Sequence, residues 1–262
     1  MSVATPAAAL VLMLLAAGSA GADGVLKRLT LRQDTLGWEA VGRVEIDGEG
    51  YCTGTLIAPE LVLTAAHCVF DRGHAREAAG LRFRAGLRDG EAVAERAVAR
   101  YAVLPEYVPG AGPDADNLAR DVALLELSAP IPAAHAAPFR VAALGSGQAQ
   151  VAVVSFASGR DDALSLERGC RVIGRDSTLF AFNCDVSFGS SGAPVFSMSG
   201  SRAEIVSIIS AGNRSEDGVV AYGMVLPVVV DALRRSLRNQ SRIAPAAAAN
   251  GTRGTTAKFL RP

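Results

Sequence analysis

The chain reads as an all-β protein, an antiparallel barrel or sandwich built in two halves, and three observations carry that reading. Short runs rich in Val, Leu, Ile and Phe recur between clusters of Gly, Pro, Asp and Asn, with no long amphipathic helices between them. That pattern argues against a parallel α/β sheet. The runs form two series separated by Ser128 to Pro138, where Pro130, Pro132 and Pro138 mark a linker. With 262 residues, half of them apolar, the chain is long enough for one large β domain or two small barrels.

The first series comprises Ala40 to Ile46, Thr53 to Ile57, Leu61 to Thr64, Leu81 to Ala85, Ala92 to Val103 and Val122 to Leu127. The second comprises Ala149 to Phe156, Cys170 to Ile173, Leu179 to Phe182, Ala193 to Phe196, Glu204 to Ile209 and Val219 to Val225. One helix follows. Leu226, Val230, Leu233 and Leu237 recur at helical spacing, Pro227 suits a first turn, and Arg234, Arg235 and Arg238 suit the negative end of the helix dipole. This helix is expected to pack on the second half. The resulting division is residues 1–22 as a signal segment, 23–135 as the first β unit, 136–240 as the second with its helix, and 241–262 as a flexible tail poor in bulky apolar residues.

Composition narrows the function. Twenty-six basic residues balance 26 acidic ones, so no charge excess points to nucleic acid or an anionic membrane as partner. The apolar stretch Ala7 to Ala17 is too short to span a bilayer, and Ala20-Gly21-Ala22 suits signal cleavage before Asp23, although no Lys or Arg precedes Lys27. A secreted or periplasmic, monomeric protein without a membrane span is expected. The absence of CxxC and HExxH, with only three histidines, argues against a metal site, and no cofactor is expected.

The chemistry concentrates in three segments. Thr64-Ala65-Ala66-His67-Cys68 follows an apolar run, Asp121 heads Val122-Ala123-Leu124-Leu125, and Gly189-Ser190-Ser191-Gly192-Ala193-Pro194 forms a Gly/Ser-rich turn. A serine hydroxyl needs a base to remove its proton, and an imidazole needs a carboxylate to orient it, so these types together read as nucleophilic acyl transfer. All three histidines precede Ser191, which excludes the Ser, Asp, His order of α/β-hydrolases. His67 and Asp121 fall in the first half and Ser191 in the second, so the site is expected in the cleft between them. His74 and His135 lie in polar or Ala/Pro segments and are expected at the surface; Asp114 and Asp116 are weaker candidates for the carboxylate.

Those segments, with Cys52-Thr53-Gly54-Thr55-Leu56-Ile57-Ala58-Pro59, resemble the trypsin-like serine proteases, and in detail the bacterial V8-type members more than animal trypsins. The resemblance implies two antiparallel six-stranded barrels of chymotrypsin type. It implies a secreted endopeptidase acting on protein or peptide substrates, with Ser191 as nucleophile, His67 as base, Asp121 as its orienting carboxylate, and the N–H groups of Gly189 and Ser191 as the oxyanion hole. Thr64 would support Asp121. Ser190 replaces the Asp that receives the freed N-terminal amine in animal trypsins, so that activation switch is not expected. The alternative from another class is a catalytically silent protein of the same fold that only binds a partner.

Four cysteines in an exported protein suggest two disulfides, with three pairings open. The resemblance implies Cys52 with Cys68, and Cys170 and Cys184 bracket another compact segment; each pairing would close a loop worth roughly 3 kcal/mol on the chain-entropy model. For specificity, Ser210 and Gly212 match the family's substrate-binding strand. Ile209 stands where Glu-cleaving V8-type enzymes carry a His, so Glu preference is not expected. Asp185 has the spacing of the trypsin pocket carboxylate, which leaves two readings open: an Arg/Lys preference through Asp185, or a small or apolar one.

Overall fold

A computed structural model of the chain describes residues 26–47, 49–112, 114–215 and 218–243. The expected signal segment and all but the first three residues of the expected tail lie outside the described residues.

The described residues open with a short strand, β1 (Leu26–Arg28), followed by a first barrel. Its strands are β2 (Val41–Ile46), β3 (Gly50–Ala58) and β4 (Leu61–Thr64); after a small hairpin of β5 (Phe70–Asp71) and β6 (His74–Ala75) come β7 (Leu81–Ala85), β8 (Ala94–Val103) and β9 (Ala123–Leu127). The sheet order β2-β3-β4-β9-β8-β7 closes on itself. Alternation selects what faces inward: Leu81, Phe83 and Ala85 are buried while Arg82 and Arg84 point out, where Arg84 pairs with Glu45 on the neighbouring strand.

The second barrel is built from β10 (Gln150–Ala157), β11 (Arg160–Arg175), β12 (Leu179–Phe182), β13 (Pro194–Ser197), β14 (Glu204–Ser215) and β15 (Gly218–Met224). Its order β11-β10-β13-β14-β15-β12 closes through the β11–β12 pairing. One strand serves both sides because β11 is bulged. Val151 faces Cys170 and Ala152 faces Arg168, leaving Gly169 as the extra residue, so the strand bends between its two partners. Phe180, Phe182, Val195, Val206 and Ile209 fill this barrel. The fold is thus the expected pair of six-stranded antiparallel barrels with one C-terminal helix.

Both ends of the described residues cross over, which the sequence did not reveal. β1 pairs with β11 of the second barrel rather than with the first. The helix Pro227–Ile243 buries Val230, Leu233 and Leu237, with buried Leu226 just before it, and packs on β8 and β9 of the first barrel, not on the second as expected. Arg100 of β8 explains the docking: its guanidinium donates to the Leu237 carbonyl at 2.5 Å and is held by Glu126 of β9. Burying these apolar side chains contributes roughly 1.5–3 kcal/mol each before entropic costs. Between the barrels, the Phe139 ring of the linker lies 4.7 Å from Phe196, and Trp38 lies 5.2 Å from Phe196.

Candidate active site

His67 is held by the turn that carries it. β4 runs into a single 3-10 turn, Ala66–Val69, whose Ala66, Cys68 and Val69 are buried, so only the His67 side chain emerges. Cys68 is bonded to Cys52 of β3, which fastens that turn to the barrel wall. Thr64 faces Ala123 in the β4–β9 ladder; that register brings the end of β4 and the start of β9, with Asp121 two residues before Ala123, to the same end of the barrel.

Asp121 is the most heavily hydrogen-bonded side chain here. Its Oδ2 lies 2.7 Å from His67 Nδ1 and accepts from Ser210 Oγ at 2.5 Å, while Oδ1 accepts from the His67 backbone N–H at 2.8 Å. Burial of a carboxylate is costly unless its lone pairs are satisfied, and the Asp121 side chain is only 6% exposed against 38% for His67. Thr64, expected to support Asp121, instead donates to the Thr53 carbonyl at 2.8 Å. Ser210, reaching across from β14 of the second barrel, supplies that hydroxyl.

Tyr107 was not singled out by the sequence, yet it lines the same cavity as His67, Asp121 and Ser210. Burial, the Asp121 charge and a hydrogen bond to that carboxylate hold its phenol well above the ordinary range, so it remains a donor. The loop bearing it is clamped by Asn117, whose Oδ1 accepts from Val108 N–H at 2.9 Å and whose amide donates to the Val108 carbonyl at 3.1 Å. Asp114 caps the short helix Ala115–Leu118, accepting from Asn117 N–H. His74 and His135 are exposed, as expected.

Ser191 is positioned by backbone. Gly189 and Gly192 have φ of +94° and +76°, a region open to glycine and strained for other residues. The crowding is also steric: a Cβ on Gly189 would lie 2.3 Å from Tyr51, and one on Gly192 would lie 2.3 Å from the Thr53 carbonyl oxygen. The turn closes on itself through Ala193 N–H to the Ser190 carbonyl (2.9 Å), and Gly192 N–H donates to Ile209 (2.7 Å). Buried Ser190 accepts from Ser187 N–H through its Oγ, an interaction internal to the loop.

Thr53 stitches the two halves together. From β3 its N–H donates to the Ser191 carbonyl at 2.8 Å, and its Oγ1 donates to the Gly189 carbonyl at 2.8 Å while accepting from Phe156 N–H at 3.0 Å. Nothing local in the sequence marks Thr53 beyond its place beside Cys52 in an apolar strand.

Two cavities meet here. One is lined by His67, Tyr107 and Asp121, the other by Ser191, Val186, Phe188, Ile209, Gly212 and Arg214; Ser210 and Ala211 line both. Asp185 does not line the cavity at Ser191. Its carboxylate pairs with Arg214 at 2.7 Å and is about half exposed, while its N–H donates to buried Glu167 and its carbonyl accepts from Arg160. Cys170 is bonded to Cys184, just before this loop. The sulfurs of both disulfides approach His67 or Glu167, but paired sulfurs offer no thiolate to a metal.

Two closed barrels, with a His–Asp pair at the end of one and a serine turn on the other, define a chymotrypsin-like double-barrel protein. The family model for a trypsin-like peptidase domain matches residues 52–202, more than half the chain, and the chain belongs to that family. Among solved structures it is similar to a Glu endopeptidase (18% identity, TM-score 0.66, covering 84% of this chain and 99% of that one). The protease Anisep from Arthrobacter nicotinovorans matches at 17% identity and TM-score 0.64 over 81% and 98% of the two chains. The thermostable serine protease AL20 from an extremophilic microorganism matches at 17% and 0.61 over 77% and 97%. At these identities the likeness shows the fold.

Proposed function

We propose that the chain is a serine endopeptidase that works outside the cytoplasm on protein or peptide substrates, with His67, Asp121 and Ser191 as its catalytic group. The observation that carries the proposal is the 2.7 Å contact from His67 Nδ1 to a carboxylate whose other oxygen takes the His67 N–H. This fixes the imidazole in ring orientation and tautomer, leaving Nε2 free to act as base. Ser191 Oγ attacks the scissile carbonyl as Nε2 takes its proton, and the N–H groups of Gly189 and Ser191 stabilise the tetrahedral oxyanion. Collapse breaks the C–N bond, and the imidazolium returns its proton to the leaving amine. Water then repeats the sequence on the acyl-enzyme.

The two disulfides favour an oxidising compartment, and no helix among the described residues is long and apolar enough to cross a membrane. Hydrolysis of casein, with labelling by a serine-directed fluorophosphonate, tests the reading. Ser191→Ala should abolish labelling and reduce kcat by about a million-fold while the fold is retained. Unimpaired labelling of that variant would assign the nucleophile elsewhere, and an inert wild-type chain would leave the family's fold serving binding alone.

A further inference from the structure

The cavity beside Ser191 says which side chain the enzyme cleaves after, and the inference rests on the endopeptidase reading just given. We propose that this cavity selects an uncharged apolar side chain of leucine or methionine size, and that the Asp185–Arg214 ion pair excludes charged ones. The walls are Val186, Ile209, Ala211 and Val219, with Phe188 beside them, 91% exposed and free to cover an apolar ligand. Val186 lies close against the bare backbone of Gly212, where a Cβ would come within 2.7 Å of its methyl group. The volume, about 490 Å³, admits side chains of this size.

Charge decides the rest. Among the described residues, Arg214 is the one ionisable residue lining this cavity, and its guanidinium pairs with Asp185 at 2.7 Å. Asp185 is held in turn by Glu167 and Arg160 through its own backbone, which keeps its carboxylate within reach of Arg214. A lysine or arginine entering the cavity meets a guanidinium and, among the described residues, no free carboxylate. A glutamate must compete with Asp185 for Arg214. Either is left desolvated and unpaired among Val and Ile side chains, which is unfavourable, whereas each apolar methylene fitted into such a pocket improves kcat/KM by about tenfold or more.

The test is a set of otherwise identical fluorogenic peptides carrying Ala, Leu, Met, Phe, Lys, Arg or Glu before the cleaved bond. Leu or Met should exceed Ala at least about tenfold and Lys, Arg and Glu at least about a hundredfold in kcat/KM. Asp185→Asn should release Arg214 and raise the Glu-to-Leu ratio about tenfold. Preference for Arg or Lys in the wild type, collapsing in Asp185→Asn, would overturn the proposal in favour of Asp185 as the recognition group; wild-type preference for Glu would overturn it in favour of Arg214. Fluorophosphonate labelling separates the two levels. A labelled enzyme with a charged preference overturns the specificity alone, while an unlabelled chain that cleaves no peptide overturns the endopeptidase reading and the specificity with it.

Discussion

The two barrels hold their parts of the site by different means. In the first, His67 and Asp121 are fixed by side chains: Ser210 and Tyr107 both act on the Asp121 carboxylate, and each can be removed singly. In the second, Ser191 is fixed by backbone, between Gly189 and Gly192 in conformations other residues resist. Networks of side-chain hydrogen bonds degrade in steps, because the remaining partners still hold the group. A turn fixed by two positive-φ glycines against neighbouring backbone fails at once. The first half should therefore tolerate substitution gradually and the second abruptly.

The largest expected effect tests the abrupt half. Gly192→Ala places a methyl group 2.3 Å from the Thr53 carbonyl and 2.2 Å from Thr64 Oγ1, at a φ of +76°. A loss of about 3 kcal/mol or more in stability is expected, with hydrolysis reduced at least about a thousandfold. Calorimetry and a peptide assay read both, and a variant with wild-type Tm and turnover would erase the contrast between the halves.

Thr53 joins the halves and should fall between them. Thr53→Val keeps the shape but leaves the Gly189 carbonyl and Phe156 N–H without their partner. On the proposed mechanism, freeing the Gly189 carbonyl loosens the turn that aims the Gly189 and Ser191 N–H groups at the oxyanion, and misplacement of that kind costs about a hundredfold. The loss should appear in kcat with KM little changed, and Thr53→Ser should restore most of it. Equal damage from the serine variant would mean that Thr53 acts through packing.

Smaller effects are expected where one hydrogen bond among several is removed. Ser210→Ala and Tyr107→Phe each take a donor from Asp121 while His67 keeps its own two bonds, so kcat should fall by about tenfold or less. A loss as large as that of Ser191→Ala in either variant would show that the hydroxyl does more than support Asp121.

What the sequence disclosed follows the same physical divide. Twelve apolar runs bounded by Gly, Pro and Asp correspond to the twelve barrel strands, because burial of alternate residues is a local signal. The first half of β11 escaped because Ser165 and Glu167 interrupt its apolar run, although both are buried. The docking of the helix depends on Arg100, well over a hundred residues from Leu237, and no local pattern encodes it. Likewise the resemblance offers Thr64 as the support of Asp121, but Ser210, 89 residues from that carboxylate, supplies the hydroxyl. Asp185 had trypsin-like spacing, yet spacing could not show that Arg214 would engage its carboxylate.

The smallest effect concerns the support beneath the segment leading to Ser191, where the second barrel does use a side chain. Glu167 is 6% exposed and accepts the Asp185 N–H at 2.8 Å. Burial first, and the Asp185 charge after it, raise its carboxyl above the ordinary range, against the opposing pulls of that hydrogen bond and of Arg160. A carboxyl with a raised folded pKa disfavours the fold when ionised, so the penalty is fully present above the folded value and is relieved as pH falls through it toward the usual 4.5. Glu167→Gln carries no charge at any pH, and its amide oxygen can still accept from Asp185. It should therefore raise Tm at pH 8, by the equivalent of about 1 kcal/mol or less, with the advantage shrinking as pH approaches 4.5. Melting both proteins at the two pH values decides the matter. An advantage that grows toward acid pH would make Arg160 the dominant partner and Glu167 a stabilising carboxylate, giving the second half the same kind of side-chain support as the first.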